Sequence, residues 1–434
     1  MTAPSKTSPR DLSWRQWIVW TLLIVLILAA AGELAFRGFR RALSDMQDFA
    51  VIYSSTRAFE TGRNPYDGPA MRAAWLEATH NQPGDRTPDD LALYPPTTYL
   101  LLSPLALLDW TGVRWAWIFI NLAAVAVLVV SLTRYGPLKF SPWKMACASA
   151  FILGFGPIHT AIAKGQLTVV VAAILALAVV AQARNAAVLA AIFVGLAASL
   201  KPQIAVPIVV LYVLQKQWKA IAVVAGISSG LLCMAWLRLA WASVPWIGSL
   251  LRNVGLASQP GGVYDPSPTN PLAFQLVNAS ALLRRLIDNQ AVVTALLAAI
   301  GISVCFFLWK RGQNRFDLLA DPAAFGTACV LGLVLISHRY YDASVLVFVF
   351  VWALSATSWT PRLVSIAACL VMAFPVPALL ISSGHARAPF GISQMLWDAV
   401  VIQQQSWLLL ILLAALTAAL TESRALTAPS RLRF

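Results

Sequence analysis

The sequence predicts an all-α integral membrane protein, a polytopic bundle of about twelve transmembrane helices. The first indication is composition. The 434 residues are 59% hydrophobic and 12% charged, with a mean hydropathy of +0.72, whereas a soluble domain carries about 25% charged residues. The second is the length of the apolar runs, several of which reach the roughly 20 residues a helix needs to cross a bilayer. The third is the lack of the short alternating pattern of a membrane barrel. Lipid offers no hydrogen bonds to the backbone, so spans of this kind are helical.

Taken in order, the apolar segments are 16–36, 113–133, 145–163, 166–183, 186–200, 202–215, 219–241, 290–309, 322–337, 340–358, 362–382 and 404–422. Lys6, Arg10 and Arg15 precede the first run. No small-residue cleavage site follows it, so it reads as an uncleaved helix rather than a signal peptide. With the N-terminus in the cytoplasm, Arg134, Lys139, Lys144, Arg184, Lys216 and Lys219 fall inside. So do Lys310, Arg311, Arg315, Arg362, Arg424, Arg431 and Arg433, as positive-inside anchoring requires. This sidedness needs residues 97–108, which hold Pro104 and follow Pro95–Pro96, to form a short re-entrant or surface-lying hairpin. Pro202 separates the two short segments around it. Residues 1–434 then form one transmembrane domain, with large extracytoplasmic loops at 37–96 and 242–289. No inverted or parallel repeat is evident, which disfavours a secondary transporter.

The formal net charge of +14 comes from basic residues spread along the chain between apolar runs, so nucleic acid is not an expected partner. Cys147, Cys233, Cys305, Cys329 and Cys369 each sit in an apolar run without CxxC spacing. They read as small buried hydrophobes, not as disulfides or metal ligands. There is no Gly-rich phosphate loop, no GxSxG and no HExxH. No DxD-like pair stands out, QDF and PDDL being weak, so no metal is expected.

Chemistry concentrates in the first large loop. Eight of the 18 acidic residues lie between Asp45 and Asp90. Within SDMQDFAVIYSSTRAFETGRNPYD (residues 44–67), Ser44 and Gln47 have capping-box spacing. A helix over 45–61 is expected, closed by Gly62 and Asn64–Pro65. Phe49, Ile52, Tyr53, Thr56 and Phe59 share a face suited to lying on the membrane surface. Asp45 and Asp48 are either first-turn carboxylates complementing the helix dipole or reactive groups. Lys164 and Gln166 (AKGQLT), Lys201 (SLKPQ) and His338, Arg339, Tyr341 and Asp342 (SHRYYD) recur at the outer helix ends. A lone lysine there snorkels to the interface. Three basic sites on the face of the acidic loop suit a lipid phosphate, which Arg binds bidentately and Lys as a point charge. His80 and His385 read as surface residues, His159 as a packed or cavity histidine, and Asp265 and Asp288 as turn or cap residues.

At these positions the chain resembles glycosyltransferase family 87 of the GT-C superfamily. It is similar to the polyprenol-phosphate-mannose-dependent transferases typified by the mycobacterial phosphatidylinositol-mannoside mannosyltransferase group. The blocks DFAVIYSSTRAFETGRNPYD, LYPPTTYLLLSPLALL, KGQLTVVVAAILALA, GLAASLKPQIAVPIVVLYVLQKQWKA and ISHRYYDASVLVF occur in family order over roughly residues 40–345. The family's late block often carries Pro or Trp near its start, and SHRYY departs from that. The resemblance implies a GT-C-type bundle in a bacterial cytoplasmic membrane, with juxtamembrane helices in its first extracytoplasmic loop and its active site facing out. It implies inverting transfer of a sugar, mannose first among candidates, from a polyprenyl monophosphate to a hydroxyl of a glycolipid or glycan, without an obligatory metal. Asp48 maps to the family's catalytic base, and His338 and Asp342 to its late polar motif.

The chemistry agrees with that assignment. Displacement at an anomeric carbon needs one base for the acceptor proton, which a carboxylate can supply. The departing phosphate needs cations where charge develops, and Lys164, Lys201, His338 and Arg339 are the candidates. Asp45, Tyr53, Tyr94, Gln166, Tyr341 and Asp342 are expected to line the substrate cavity. Two other readings stand beside this one, the absent repeats and the acidic outer loop arguing against the first. One is a lipid-linked glycan transporter or flippase, which would release no polyprenyl phosphate. The other is a different outward-facing GT-C transferase or ligase with a pentose or a diphosphate donor.

Overall fold

Each apolar run folds as a helix, and its length and breaks decide whether it can cross a bilayer alone. The computed structural model describes residues 14–80, 91–313 and 317–422. The sequence expectations for Lys6, Arg10, Asp89, Asp90, Arg315, Arg424, Arg431 and Arg433 therefore lie outside the described residues.

Helix α1 (Trp14–Glu33) runs on through a π-helical stretch to Arg40. The first large loop holds α2 (Gln47–Glu60) and α3 (Gly68–Ala78). Residues 97–108 are not a crossing: they form the short α4 (Pro96–Leu102) and a 3-10 turn to Leu107. Next come α5 (Trp110–Val130), α6 (Pro142–Gly154) and α7 (Gly156–Lys164). They are followed by α8 (Thr168–Ala183), α9 (Ala187–Leu200), α10 (Pro202–Leu214) and α11 (Trp218–Trp241). The second large loop is itself structured, with α12 (Trp246–Ser258) and α13 (Ala279–Leu286). The chain then forms α14 (Gln290–Gly312), α15 (Pro322–Leu335), α16 (Val347–Ala353) and α17 (Trp359–Met372). Short α18 (Val376–Ser382) and α19 (Gln394–Trp397) lead to α20 (Gln404–Glu422).

All twelve predicted segments are helical, but not all are simple crossings. Among the described residues, six helices are long and apolar enough to span: Gln16–Arg40, Trp110–Tyr135, Trp218–Trp241, Gln290–Gly312, Trp359–Ser382 and Gln404–Thr421. A seventh is possible if α6 and α7, bent by 41°, count as one. The other five, Thr168–Ala183, Ala187–Leu200, Pro202–Leu214, Pro322–Leu335 and Tyr340–Ala353, are shorter. The short helices are the inner ones. Helices α8 and α15 are buried around most of their circumference, as expected of helices that are apolar on every side. Helices α1, α11 and α14 present most of their surface outward. In α1 this leaves Trp17, Leu22 and Leu28 exposed to the apolar surroundings a membrane provides.

Local chemistry explains the breaks. Pro157 supplies no N–H, and Gly156 packs so closely on the Ala373 carbonyl and the Tyr340 hydroxyl that a Cβ would overlap both. Lys201 precedes Pro202, which disfavours helical geometry at the residue before it. Its backbone is accordingly extended, with φ −148° and ψ 80°. Gly165 turns the chain between α7 and α8 with φ +72°, a left-handed conformation that favours glycine.

The start of α2 differs from the sequence expectation. Ser44 and Gln47 form no capping box. The Ser44 hydroxyl donates to the Arg41 carbonyl (3.2 Å), and Met46, in the left-handed region at φ 43°, is the N-cap. The Met46 amide donates to the Ala163 carbonyl (2.9 Å), so a tertiary hydrogen bond sets where the helix begins. Nor does α2 lie on a membrane surface. Phe49, Ile52, Tyr53, Thr56 and Phe59 are all buried in protein. Phe49 stacks on Trp117 with ring centroids 4.5 Å apart.

The basic connections gather at the opposite end of the bundle from Gly165 and Lys201. There the Arg184 guanidinium lies over the Tyr135 ring at 5.0 Å, Gln182 donates to Asp317 (2.5 Å), and Arg311 pairs with Asp321 at 3.0 Å.

Candidate active site

The polar groups that a lipid environment penalises are brought together by the helix interruptions. Irregular backbone at membrane depth persists where it is buried in protein or lines a cavity. The turn after α7 presents Gln166, the α9–α10 break presents Lys201, the link after α15 presents Arg339, and the 3-10 turn Tyr340–Leu346 that follows presents Tyr341 and Asp342. With Asp48 and Val51 of α2 and Tyr94 of the segment before α4, they line a cavity of about 130 Å³. Val263 and Tyr264 of the second large loop complete it.

One hydrogen-bonded network organises these groups. Gln166 Nε2 donates to Asp48 Oδ2 (2.5 Å) and to the Tyr341 hydroxyl (3.1 Å). Gln166 Oε1 accepts from the Tyr94 hydroxyl (2.5 Å) and from Lys201 Nζ (3.2 Å). The glutamine amide thus orients the carboxylate on one side and reads the ammonium on the other. Lys201 Nζ also donates to Thr168 Oγ1 (2.8 Å) and Asp342 Oδ1 (2.5 Å), and sits 5.0 Å from the centre of the Tyr341 ring. Thr168 Oγ1 donates to Asp342 Oδ1 (2.7 Å), and His338 Nδ1 lies 3.0 Å from Asp342 Oδ2. Lys201 is 2% exposed and Asp342 3%. Removing one member of such a buried pair costs about 3–5 kcal/mol, because the other charge is left without compensation.

Hydrogen bonds within the second large loop hold it over this cavity. Asp265 Oδ2 accepts from the Gly261 amide (2.8 Å) and Ser267 Oγ (2.7 Å), and Oδ1 accepts from the Ser267 amide (2.9 Å). Asn270 Nδ2 donates to the carbonyls of Gly262 (3.0 Å) and Asp265 (2.7 Å). The loop then bridges Leu276 to Arg339, and the Val277 amide donates to the His338 carbonyl (2.9 Å). Tyr264 is held between these bonds. Burial, reinforced by the Asp342 and Asp48 charges and opposed by Arg339, pushes its phenol up to about 12. It is therefore a protonated hydroxyl at any working pH. The Tyr94 phenol is likewise raised, by burial first and then by the charge of Asp342.

Of the residues singled out in the sequence, Asp48, Tyr94, Gln166, Lys201, Arg339, Tyr341 and Asp342 converge on the cavity. Four do not. Lys164 and Asp45 pair with each other at 3.0 Å and line a separate cavity on the far side of the first turn of α2. Asp45 is close to Asp48 in sequence and Lys164 to Gln166, but α2 begins between the two carboxylates and Gly165 turns the chain between Lys164 and Gln166. Tyr53 is buried, its hydroxyl donating to the Leu108 carbonyl (2.5 Å), and anchors the helix. His338 is 1% exposed and stands behind Asp342, bracing it rather than facing the cavity. Sequence reasoning missed Thr168 and Tyr264. Thr168 ends the KGQLT block, whose polar character was the available signal. Tyr264 lies in a turn-rich segment where nothing local marks an aromatic as cavity-lining. His159 is packed, with Nε2 2.7 Å from the Leu153 carbonyl, and Asp265 is the turn residue it was read to be. Among the described residues, no group of three or more His, Cys, Asp or Glu side chains is placed to hold a metal ion.

The family model for glycosyltransferase family 87 matches residues 92–337, more than half of the chain. The chain belongs to glycosyltransferase family 87. It is therefore a membrane glycosyltransferase, and its polytopic all-α architecture suits that membership. It is also similar to an α-(1→3)-arabinofuranosyltransferase of Corynebacterium glutamicum, at 25% identity over 345 residues, covering 75% of this chain and 76% of the relative. The family 87 match includes Tyr94, Gln166, Lys201 and the second large loop. Asp48 and Asp342 lie beyond its two ends.

Proposed function

We propose that this family 87 chain is an inverting transferase that moves a sugar from a polyprenyl monophosphate carrier to an acceptor hydroxyl. The observation that carries the reading is one cavity in which a carboxylate on α2 faces cations from two separate helix breaks. Asp48, oriented by Gln166, takes the acceptor proton. The acceptor oxygen bonds to the anomeric carbon while the bond from that carbon to the phosphate oxygen breaks, and the electron pair leaves with the polyprenyl phosphate. Arg339 and Lys201 stabilise the charge that develops there. Asp342, held by Thr168 and braced by His338, fixes the Lys201 ammonium. The donor is a substrate, and no cofactor is needed for this displacement. In a bacterial cytoplasmic membrane the cavity would face outward, away from the basic connections.

Mannose and a pentofuranose are both candidate sugars. The C. glutamicum relative is an arabinofuranosyltransferase, which favours arabinofuranose as the first donor to test. The protein reconstituted in vesicles should release polyprenyl phosphate and glycosylate an acceptor. Asp48→Ala and Asp48→Asn should abolish turnover while thermal unfolding stays near wild type. Wild-type turnover by Asp48→Ala would rule out the base. Transfer from diphosphate but not monophosphate donors would favour a ligase, and translocation without carrier release would favour a flippase.

A further inference from the structure

The larger of the two cavities flanking α2 takes no part in the chemistry proposed above. It has a volume of about 510 Å³, within the range of small-molecule sites. Its polar wall includes Arg41, Arg114 and Lys164, with Asp45 the one carboxylate among its described lining residues. Asp45 binds Lys164 at 3.0 Å and lies 4.0 Å from Arg41. Among the described residues, three cations against one carboxylate give the cavity wall a positive balance. Arg114 pairs with no carboxylate among the described residues, and its guanidinium stands 5.7 Å from the centre of the Trp110 ring. The indole N–H of Trp75, which also lines the cavity and is 2% exposed, finds no hydrogen-bond acceptor among the described residues. Cations that merely snorkel to an interface spread over an open surface; these converge on a concavity beside a buried donor.

The position of the cavity indicates what fills it. It opens where two spans end, the C-terminal end of Gln16–Arg40 and the N-terminal end of Trp110–Tyr135. Both spans expose large apolar side chains, among them Leu28, Phe36, Trp115 and Phe119. Leu43, in the cavity wall, is itself exposed. A ligand seated here would have an anionic head among the arginines and apolar tails against those spans.

We propose that this cavity binds the headgroup of an anionic membrane lipid, with Arg41 and Arg114 as its phosphate ligands and Lys164 held in place by Asp45. Arg forks match phosphate oxygens bidentately, and an amphiphile adds tail burial that a free anion lacks.

The test uses the full-length protein, delipidated in a neutral detergent and titrated with phosphatidylglycerol or phosphatidylcholine, with bound lipid counted by native mass spectrometry. Wild type should bind phosphatidylglycerol about tenfold more tightly than phosphatidylcholine. The Arg41→Gln/Arg114→Gln double variant should lose that preference, and Arg41→Lys/Arg114→Lys should recover part of it. The single variants Arg41→Gln and Arg114→Gln, each expected to lose part of the preference, serve if the double variant does not fold. Millimolar inorganic phosphate should not displace the lipid. Equal binding of the two lipids, or a preference unchanged in the Gln variants, overturns the proposal. Displacement by inorganic phosphate alone would make this a free-anion site and overturn the lipid assignment.

Discussion

Gly165 joins the two sides of the α2 turn. Lys164, on one side of it, binds Asp45, while Gln166, on the other, binds Asp48. Between them the Gly165 carbonyl accepts from Trp117 Nε1 at 3.1 Å, and a Cβ on Gly165 would overlap Phe49. The tripeptide therefore clasps the first turn of α2 and fixes the Asp48 carboxylate against Gln166. Gly165→Ala must push α2 away from the clasp, in addition to the roughly 1–2 kcal/mol of left-handed backbone strain. A displacement of about 1 Å at a reacting group can cost on the order of a hundredfold in rate, and that is the fall in kcat expected. Gly62→Ala is the control. Gly62 has φ +71°, but its nearest neighbour would be the Ala242 Cβ at 3.3 Å, outside the Asp48 cavity. It should lose stability and keep turnover. Equal turnover in the two variants would show that the clasp does not position Asp48.

At the scale of the element, the segment from Gln259 to Leu276 works as a unit because Asp265 and Asn270 satisfy its backbone internally. Burial raises the Asp265 pKa, but the hydrogen bonds from Ser267 and the Gly261 and Ser267 amides outweigh it and hold the carboxyl below its ordinary value. The sign follows from linkage. A carboxyl with a depressed folded-state pKa stabilises the fold above its unfolded value, and the contribution is lost as pH falls through the folded value. Wild type should therefore lose a share of its thermal stability below the ordinary carboxylate range. Asp265→Asn should start lower at neutral pH and lack that share of the acid-dependent loss. Because the same bonds hold Tyr264 over the cavity, Asp265→Ala should raise the donor KM by about two- to tenfold, the worth of roughly one hydrogen bond, with kcat little changed. Parallel acid profiles for wild type and Asp265→Asn would show that this carboxylate is not the group involved.

Over the whole molecule, what the sequence revealed followed the reach of each signal. The apolar runs fix the helices because hydropathy acts locally, and Pro202 marked the break that exposes Lys201 for the same reason. The seven expected site residues that converge on the cavity come from short polar blocks beside or between apolar runs. The failures were tertiary. The start of α2 depends on a hydrogen bond to Ala163, which no capping pattern records, so Asp45 was placed with Asp48 instead of across the helix from it. Tyr264 reaches the site through a loop that bridges to Arg339, more than 70 positions away in sequence. The connectivity itself has a consequence that can be measured. Site groups gather at one end of the bundle, and Arg184, Lys216 and Lys310 lie at helix ends that connectivity places opposite. If the cavity faces out of the cell, the two ends differ in access to reagents that cannot cross the membrane. In a background with the five native cysteines replaced, Thr269→Cys, on the exposed tip of the second large loop, should react with an impermeant maleimide in intact cells. Lys310→Cys, at the far end of α14, should react only after the membrane is opened. The reverse pattern would place the sugar-transfer cavity on the cytoplasmic side and require a donor presented there.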